Sequence, residues 1–201
     1  MAAPRTKSAL PALKISQPAM EERNVHEDYR QPPSIIWFTG VSGVGKSTIS
    51  QALNAALSRR QRQSCILDGD KLRQGLNRNL GFSPADRAES VRRASEVARI
   101  LADTGNVVIS ALISPFAHDR ALARALFDDC PFHEVYLHAP LQTLIARDPK
   151  GLYRKALAGL INDFSGISAD YEVPRDPALS FDTSRTSVDE IVERILAHTG
   201  L

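Results

Sequence analysis

Ile35-Ile36-Trp37-Phe38-Thr39-Gly40-Val41-Ser42-Gly43-Val44-Gly45-Lys46-Ser47-Thr48 is the stretch on which the fold turns. Its first five residues are apolar or β-branched and read as a buried strand. Gly40 to Ser47 then fits G-x-x-x-x-G-K-[ST]. Glycines in that pattern let the backbone wrap a polyphosphate with its N–H groups turned inward. Lys46 reaches the β- and γ-phosphates, and the Ser47 hydroxyl holds Mg²⁺. A helix beginning at this point adds its positive end to the same anion site. Ile49, Ala52, Leu53, Ala56 and Leu57 give that helix one apolar stripe. The strand before and the helix after separate a nucleotide-binding loop from a chance Gly-rich turn. Gly40, Val41, Ser42, Gly43, Val44, Gly45, Lys46, Ser47 and Thr48 are therefore the candidate ATP-binding residues.

Outward from this loop, strands and helices alternate. Residues 64–70 read as a short strand ending in two acids, Asp68 and Asp70, at the rim where open α/β sheets bind ligands. Residues 72–80 form a short helix or turn with Arg73 and Arg78. Ser83-Pro84-Ala85-Asp86 is a helix start, with Ser as N-cap and Pro at the first helical position. Val91, Ala94, Val97, Ala98 and Leu101 mark the buried face of that helix, and Gly105 ends it. Residues 107–111, Val-Val-Ile-Ser-Ala, are a fully buried strand of the kind parallel sheets contain. A loop over 112–117 leads to a helix expected to turn Leu122, Ala125 and Leu126 inward. Residues 134–138 are a fourth strand. Pro140 opens a helix with Leu141, Leu144 and Ile145 on one side. Residues 179–183 are a fifth strand, and Ser187 caps a last helix burying Val188, Ile191, Val192, Ile195 and Leu196. The expected fold is a P-loop α/β fold: a parallel five-stranded sheet, helices on both faces, and the P-loop strand in the centre.

Composition narrows the class. The 201 residues are 43% hydrophobic with a net charge of +2, which suits one compact domain and gives no basic surface for nucleic acid. No apolar run reaches membrane-span length, and no secretory core is visible. Neither a nucleic-acid nor a membrane partner is expected. The two cysteines, Cys65 and Cys130, stand far apart in no metal-ligand spacing and are expected as free thiols in a cytoplasmic protein. Residues 1–30 are rich in Pro, Ala and charge without a period. They are expected as a partly disordered arm, although their early basic bias is shared by transit peptides. The kinase domain is expected over 31–201.

Among P-loop proteins, a GTPase requires an Asn-Lys-x-Asp base-reading motif, which is absent from the sequence. A small-molecule kinase requires an acid near the metal and the attacking hydroxyl, an acceptor pocket, and a basic lid that shields the phosphoryl group from water. The third strand ends without an acid, so Asp68 and Asp70 are the candidates. Residues 147–166 carry Arg147, Lys150, Arg154 and Lys155 between Gly151, Gly159 and Gly166, and are the candidate lid.

With these residues assembled, the chain resembles the adenylylsulfate (APS) kinase family over about residues 35–183. The resemblance rests on Trp37-Phe38-Thr39-Gly40 running into the P-loop and on Asp68-Gly69-Asp70 with Leu72-Arg73. It continues in Gly75-Leu76-Asn77 through Leu80-Gly81-Phe82-Ser83, in Ile113-Ser114-Pro115 with Asp119-Arg120, and in Arg147-Asp148 with Lys150-Gly151-Leu152-Tyr153. The last block is Phe164-Ser165-Gly166-Ile167 with Tyr171-Glu172. The resemblance implies transfer of the ATP γ-phosphate, with Mg²⁺, to the 3′-hydroxyl of APS. It implies that Phe82 and Phe164 sandwich the adenine of APS. Arg73 and Arg87 would hold the phosphosulfate, and Asp70 would stand near the 3′-hydroxyl and the metal. Lys150 would approach the substrates from the lid, and Ile113 and Ser114 would line the acceptor site. Ser114 matches a serine phosphorylated in some members, although no base is placed by the sequence to activate it. A homodimer is also implied.

Read without the resemblance, Phe82 and Phe164 could be core residues, Arg73 and Arg87 members of surface ion pairs, and Asp70 a helix cap. Each phenylalanine sits in a Gly-flanked polar loop, where a core residue is less expected. Five positions depart from the family pattern: Val44, Ser90, His138, Leu160 and Asn162. A kinase acting on another nucleotide-like acceptor, or a nucleotide-binding subunit without catalysis, are the alternatives to APS phosphorylation.

Overall fold

The computed structural model describes residues 32–201. The expected N-terminal arm, residues 1–30, lies outside the described residues. Five parallel strands form one sheet in the order β2-β3-β1-β4-β5, with β1 in the centre as expected. They are β1 (Ser34–Thr39), β2 (Ser64–Asp68), β3 (Val107–Ala111), β4 (Phe132–His138) and β5 (Leu179–Asp182). Every residue of β1 and β3 is buried, which is why both read as unbroken apolar runs.

Alternation along β1 divides the core. Ile36 and Phe38 face one layer, joined by Ile49, Leu53 and Leu57 of α1 (Lys46–Arg59) and Ile191 and Ile195 of α7 (Val188–Thr199). Ile35 and Trp37 face the other, joined by Val91, Ala94 and Ala98 of α3 (Pro84–Asp103) and Ala123 of α4 (Ala117–Ala125). Helices thus cover both faces. α3 begins on Ser83, whose Oγ accepts from Asp86 N, and α7 on Ser187, whose Oγ accepts from Glu190 N. Both are the N-caps read from sequence.

Several expectations need correction. Of the two acids expected to end the second strand, Asp68 does end β2, while Asp70 lies in the helix that follows. Asp68 caps α2 (Gly69–Gln74), accepting from the backbone N–H groups of Asp70 and Lys71. β4 begins earlier than expected, because Phe132 and His133 pair with Ile35 and Ile36, and Phe132 stacks on Trp37 at 5.7 Å. In α4 the expected inward face is reversed. Leu122 and Leu126 are 57% and 38% exposed, and Ala125 is exposed, while Asp119, Arg120 and Ala123 are buried. Arg120 turns the helix. Its Nε donates to Glu134 Oε1 on β4 at 2.8 Å, and Arg124 reaches Glu134 Oε2 at 3.3 Å. A buried charge must be paired, and here that requirement overrides the apolar pattern. In α5 (Leu141–Arg147) only Leu144 is buried.

Candidate active site

In strand order, β1 lies between β3 and β4, although β2 and β3 come next after it in the chain. The chain therefore leaves β1 in one direction and later crosses back. The crevice at that reversal, beyond the carboxyl ends of the strands, is where such sheets bind ligands. A cleft of about 940 Å³ opens there. Every strand except β4 sends the residue or loop that follows it into this cleft: Ser42 to Thr48 after β1, Asp68 to Asp70 after β2, Leu112 to Pro115 after β3, and Thr183 after β5.

At one end lies the P-loop. Gly40, Gly43 and Gly45 take φ of +144°, +79° and +95°, which suits glycine alone. Lys46 starts α1, and its ammonium donates to the carbonyls of Gly40 and Val41 at 2.7 and 2.9 Å. Burial of that ammonium lowers its pKa to about 8, against the upward pull of Asp70 and Asp68. Ser47 Oγ donates to Asp68 Oδ2 at 2.6 Å. Val44 is fully buried in the core layer of α1, so its departure from the family pattern is absorbed as packing.

Residues of the candidate lid line the cleft. Asp148 accepts from the N–H groups of Tyr153 and Arg154 and so caps α6 (Leu152–Leu157). Tyr153 donates its hydroxyl to Ser42 O of the P-loop at 2.8 Å, and burial pushes its pKa up to about 12, which keeps the donor proton in place. Lys150 pairs with Asp70. Arg147 donates to Thr183 Oγ1 and Thr183 O. Gly151, Gly159 and Gly166 all have positive φ.

The other end holds the expected acceptor residues. Phe82 is 52% exposed, with the Arg73 guanidinium 4.0 Å from its ring centroid. Arg73 donates to the carbonyls of Leu80 and Gly81. Arg87 donates to the carbonyls of Phe82 and Asp163. Neither arginine is in a salt bridge among the described residues, so the surface ion-pair alternative does not hold for them. Phe164 lines the cleft but is 8% exposed and packs edge-on against Tyr153 with centroids 5.0 Å apart. The argument that its polar loop keeps it out of the core fails here: Gly-flanked turns fold the ring back under the lid. Ile113 and Ser114 line the same end. Ser114 has φ +38° and is buried, and its Oγ accepts from Trp37 Nε1 at 3.2 Å.

Among the departures, Ser90 lines the cleft and accepts from Asn77 Nδ2 at 2.9 Å. Asn162 lines the cleft, Leu160 is 75% exposed, and His138 stacks on Tyr136 at 5.1 Å. Sequence reasoning placed Arg147 in the candidate lid alone and did not assign Thr183 and Thr186 to the site, yet all three line the cleft. Their signal lay in the meeting of the α5 end with the loop after β5, 36 residues apart for the Arg147–Thr183 bond.

The family described as Adenylylsulphate kinase matches residues 32–182. The chain is 50% identical over 177 residues to the adenylyl-sulfate kinase of Marinobacter nauticus, covering 88% of each chain. It is 50% identical over 169 residues to that of Pseudomonas aeruginosa, covering 84% of this chain and 86% of the relative. The solved APS kinase CysC of Mycobacterium tuberculosis, in complex with AMPPNP and APS, superposes with a TM-score of 0.82 at 44% identity, over 85% of this chain and 99% of that one. The P-loop and the cleft it opens onto thus stand in a chain that belongs to the adenylylsulphate kinase family.

Proposed function

We propose that the protein transfers the γ-phosphoryl group of ATP to the 3′-hydroxyl of adenosine 5′-phosphosulfate, giving ADP and 3′-phosphoadenosine 5′-phosphosulfate. One observation carries the reading. A single cleft joins the P-loop to a second pocket bearing Phe82, Phe164, Arg73 and Arg87, so two nucleotides can meet end to end.

ATP occupies the loop Gly40 to Thr48, with backbone N–H groups and Lys46 on its phosphates. Arg147, Thr183 and Thr186 flank its base. In the acceptor pocket the half-exposed Phe82 offers a flat face to a purine, and Phe164 the opposite wall. Arg73 and Arg87 turn their positive charge to the phosphosulfate. Asp70 stands between the two ends, held by Lys150, and orients the attacking hydroxyl. The hydroxyl attacks phosphorus in line, its proton leaves toward Asp70, and ADP departs. Lys46 and Lys150 offset the charge spreading over the transferring oxygens.

The oxygen donors fit Mg²⁺. Ser47 Oγ and the Asp68 carboxylate meet at 2.6 Å, and Asp70 follows two residues on. No cluster of three or more metal-ligating side chains exists among the described residues. Ser47 and Asp68, with Asp70 nearby, would hold an ion together with substrate phosphates. Bound there, Mg²⁺ would supply charge neutralisation for the transferring phosphoryl group.

Residues 147–166 act as the lid, and the enzyme works as a cytoplasmic homodimer, the latter checked by the mass of the purified protein in light scattering. No helix of the described residues is long and apolar enough to cross a membrane, and Cys65 and Cys130 are free. The test of the reaction is ADP release from MgATP with APS, with adenosine 5′-monophosphate as control acceptor. Release that requires APS is the expected result. Release that ignores the acceptor, or proceeds equally with the monophosphate, would defeat the reading.

A further inference from the structure

Trp37 is the only tryptophan of the chain and is fully buried in β1. A core tryptophan has to find a partner for its N–H, and this one finds Ser114 Oγ, 77 positions away, at 3.2 Å. Ser114 is held by further ties. Arg120 donates to its carbonyl at 2.7 Å, and Thr39 Oγ1 bonds the preceding carbonyl, Ile113 O, at 2.7 Å. These ties hold a buried serine at φ +38°, a conformation rare for a residue with a side chain. Strain of this kind persists where the surroundings over-determine it.

The direction of the Trp37 bond follows from chemistry. An indole N–H only donates, so Ser114 Oγ accepts. The serine proton then has no acceptor among the described residues, while Ser114 lines the acceptor end of the cleft. Nor does any carboxylate or imidazole among the described residues bond this oxygen, so nothing is placed to take its proton and make it a nucleophile.

We infer that Trp37 is a positioning residue for the acceptor: its indole N–H turns the Ser114 hydroxyl into a fixed hydrogen-bond donor to an oxygen of the bound nucleotide, and so keeps Ser114 out of the phosphorylation chemistry. The inference rests on the proposed reading of the cleft. Phosphoryl transfer then runs from ATP to the acceptor in one step, with Ser114 contributing binding and orientation.

The test compares Trp37→Phe, Ser114→Ala and the double variant with the wild type, measuring KM for APS and for ATP separately. One hydrogen bond in a binding site corresponds to about a tenfold effect. Each single variant should raise KM for APS by about that factor and leave KM for ATP unchanged. The double variant should be no worse than Ser114→Ala, because both changes remove one interaction. Trp37 emission gives a second reading that needs no change in the core: Ser114→Ala should shift it and abolish its response to added APS. This arm decides the matter if Trp37→Phe does not fold. Multiplying KM effects, an equal rise in KM for ATP, or emission indifferent to Ser114→Ala would overturn the assignment. So would stoichiometric transfer of labelled phosphate to Ser114. Wild-type turnover with APS separates the two ideas: with turnover present these outcomes defeat Trp37 alone, and without it the acceptor itself is wrong.

Discussion

At φ +144°, Gly40 places its missing Cβ 2.2 Å from the carbonyl oxygen of Leu137 on β4. No side chain fits without moving the central strand pair. Gly40→Ala should therefore lower the free energy of urea unfolding by about 2 kcal/mol or more, an outcome that separates it from Gly75→Ala, where φ is negative and a Cβ meets nothing within 4 Å. Lys46 carries a different prediction. Desolvation leaves its ammonium with a pKa of about 8, so it is charged below that pH and neutral above. A polyphosphate favours the charged form, and above pH 8 binding has to take up a proton. KM for ATP should stay level up to about pH 8 and then rise, approaching about tenfold per pH unit. A flat profile through pH 9.5 would show that Lys46 stays charged in the free protein. These residue-scale features were legible: Gly40, Lys46 and Ser47 stand together as the motif requires, because eight consecutive residues carry the whole loop, and Asp68 joins Ser47 from the end of β2.

Elements meet where the sequence is silent. Phe82 and Phe164 come from different loops and differ in burial, 52% against 8% exposed. Phe82→Ala should raise KM for APS with little change in stability. Phe164→Ala should do both, costing about 3 kcal/mol in urea unfolding, because a core cavity opens under the lid. Equal stability of the two variants would contradict the packing of Phe164. The lid itself depends on a short helix. α6 has six residues and its first turn is satisfied by Asp148. Asp148→Ala should fray it at a cost of about 1 kcal/mol and raise hydrogen exchange at Tyr153 and Arg154. Periodicity located α1, α3 and α7 and their buried faces, since those helices pack by apolar stripe. It failed on α4, whose orientation is set by Arg120 reaching Glu134 on another element. A pattern of apolar residues cannot register an ion pair formed across 14 positions.

At the scale of the molecule, that ion pair ties the sheet to the acceptor pocket. Arg120 also donates to Ser114 O and Glu172 O, and Glu172 N donates to Pro115 O. Glu134→Gln leaves a buried guanidinium with a weaker partner. It should cost about 3 kcal/mol in unfolding free energy and raise KM for APS more than KM for ATP, since the pocket after β3 loses its support. The parallel sheet, its central P-loop strand and the helices on both faces followed from alternating strand and helix signals; the full strand order did not. The site's long-range ties, Trp37 to Ser114 and Tyr153 to Ser42, did not, because each depends on segments that meet only once the chain is folded.

The cleft is lined from the carboxyl ends of the strands, from α1, α2, α3 with the loop before it and α7, and from residues 147–165; the turns over 60–63, 104–106 and 126–131, which enter β2, β3 and β4 from the opposite side, contribute none. Chemistry and attachment are therefore separable in this architecture. A reporter domain inserted at 104–106 should leave KM for ATP within about twofold of the parent, which makes the far side a place where the enzyme can be wired to other proteins without being rewritten.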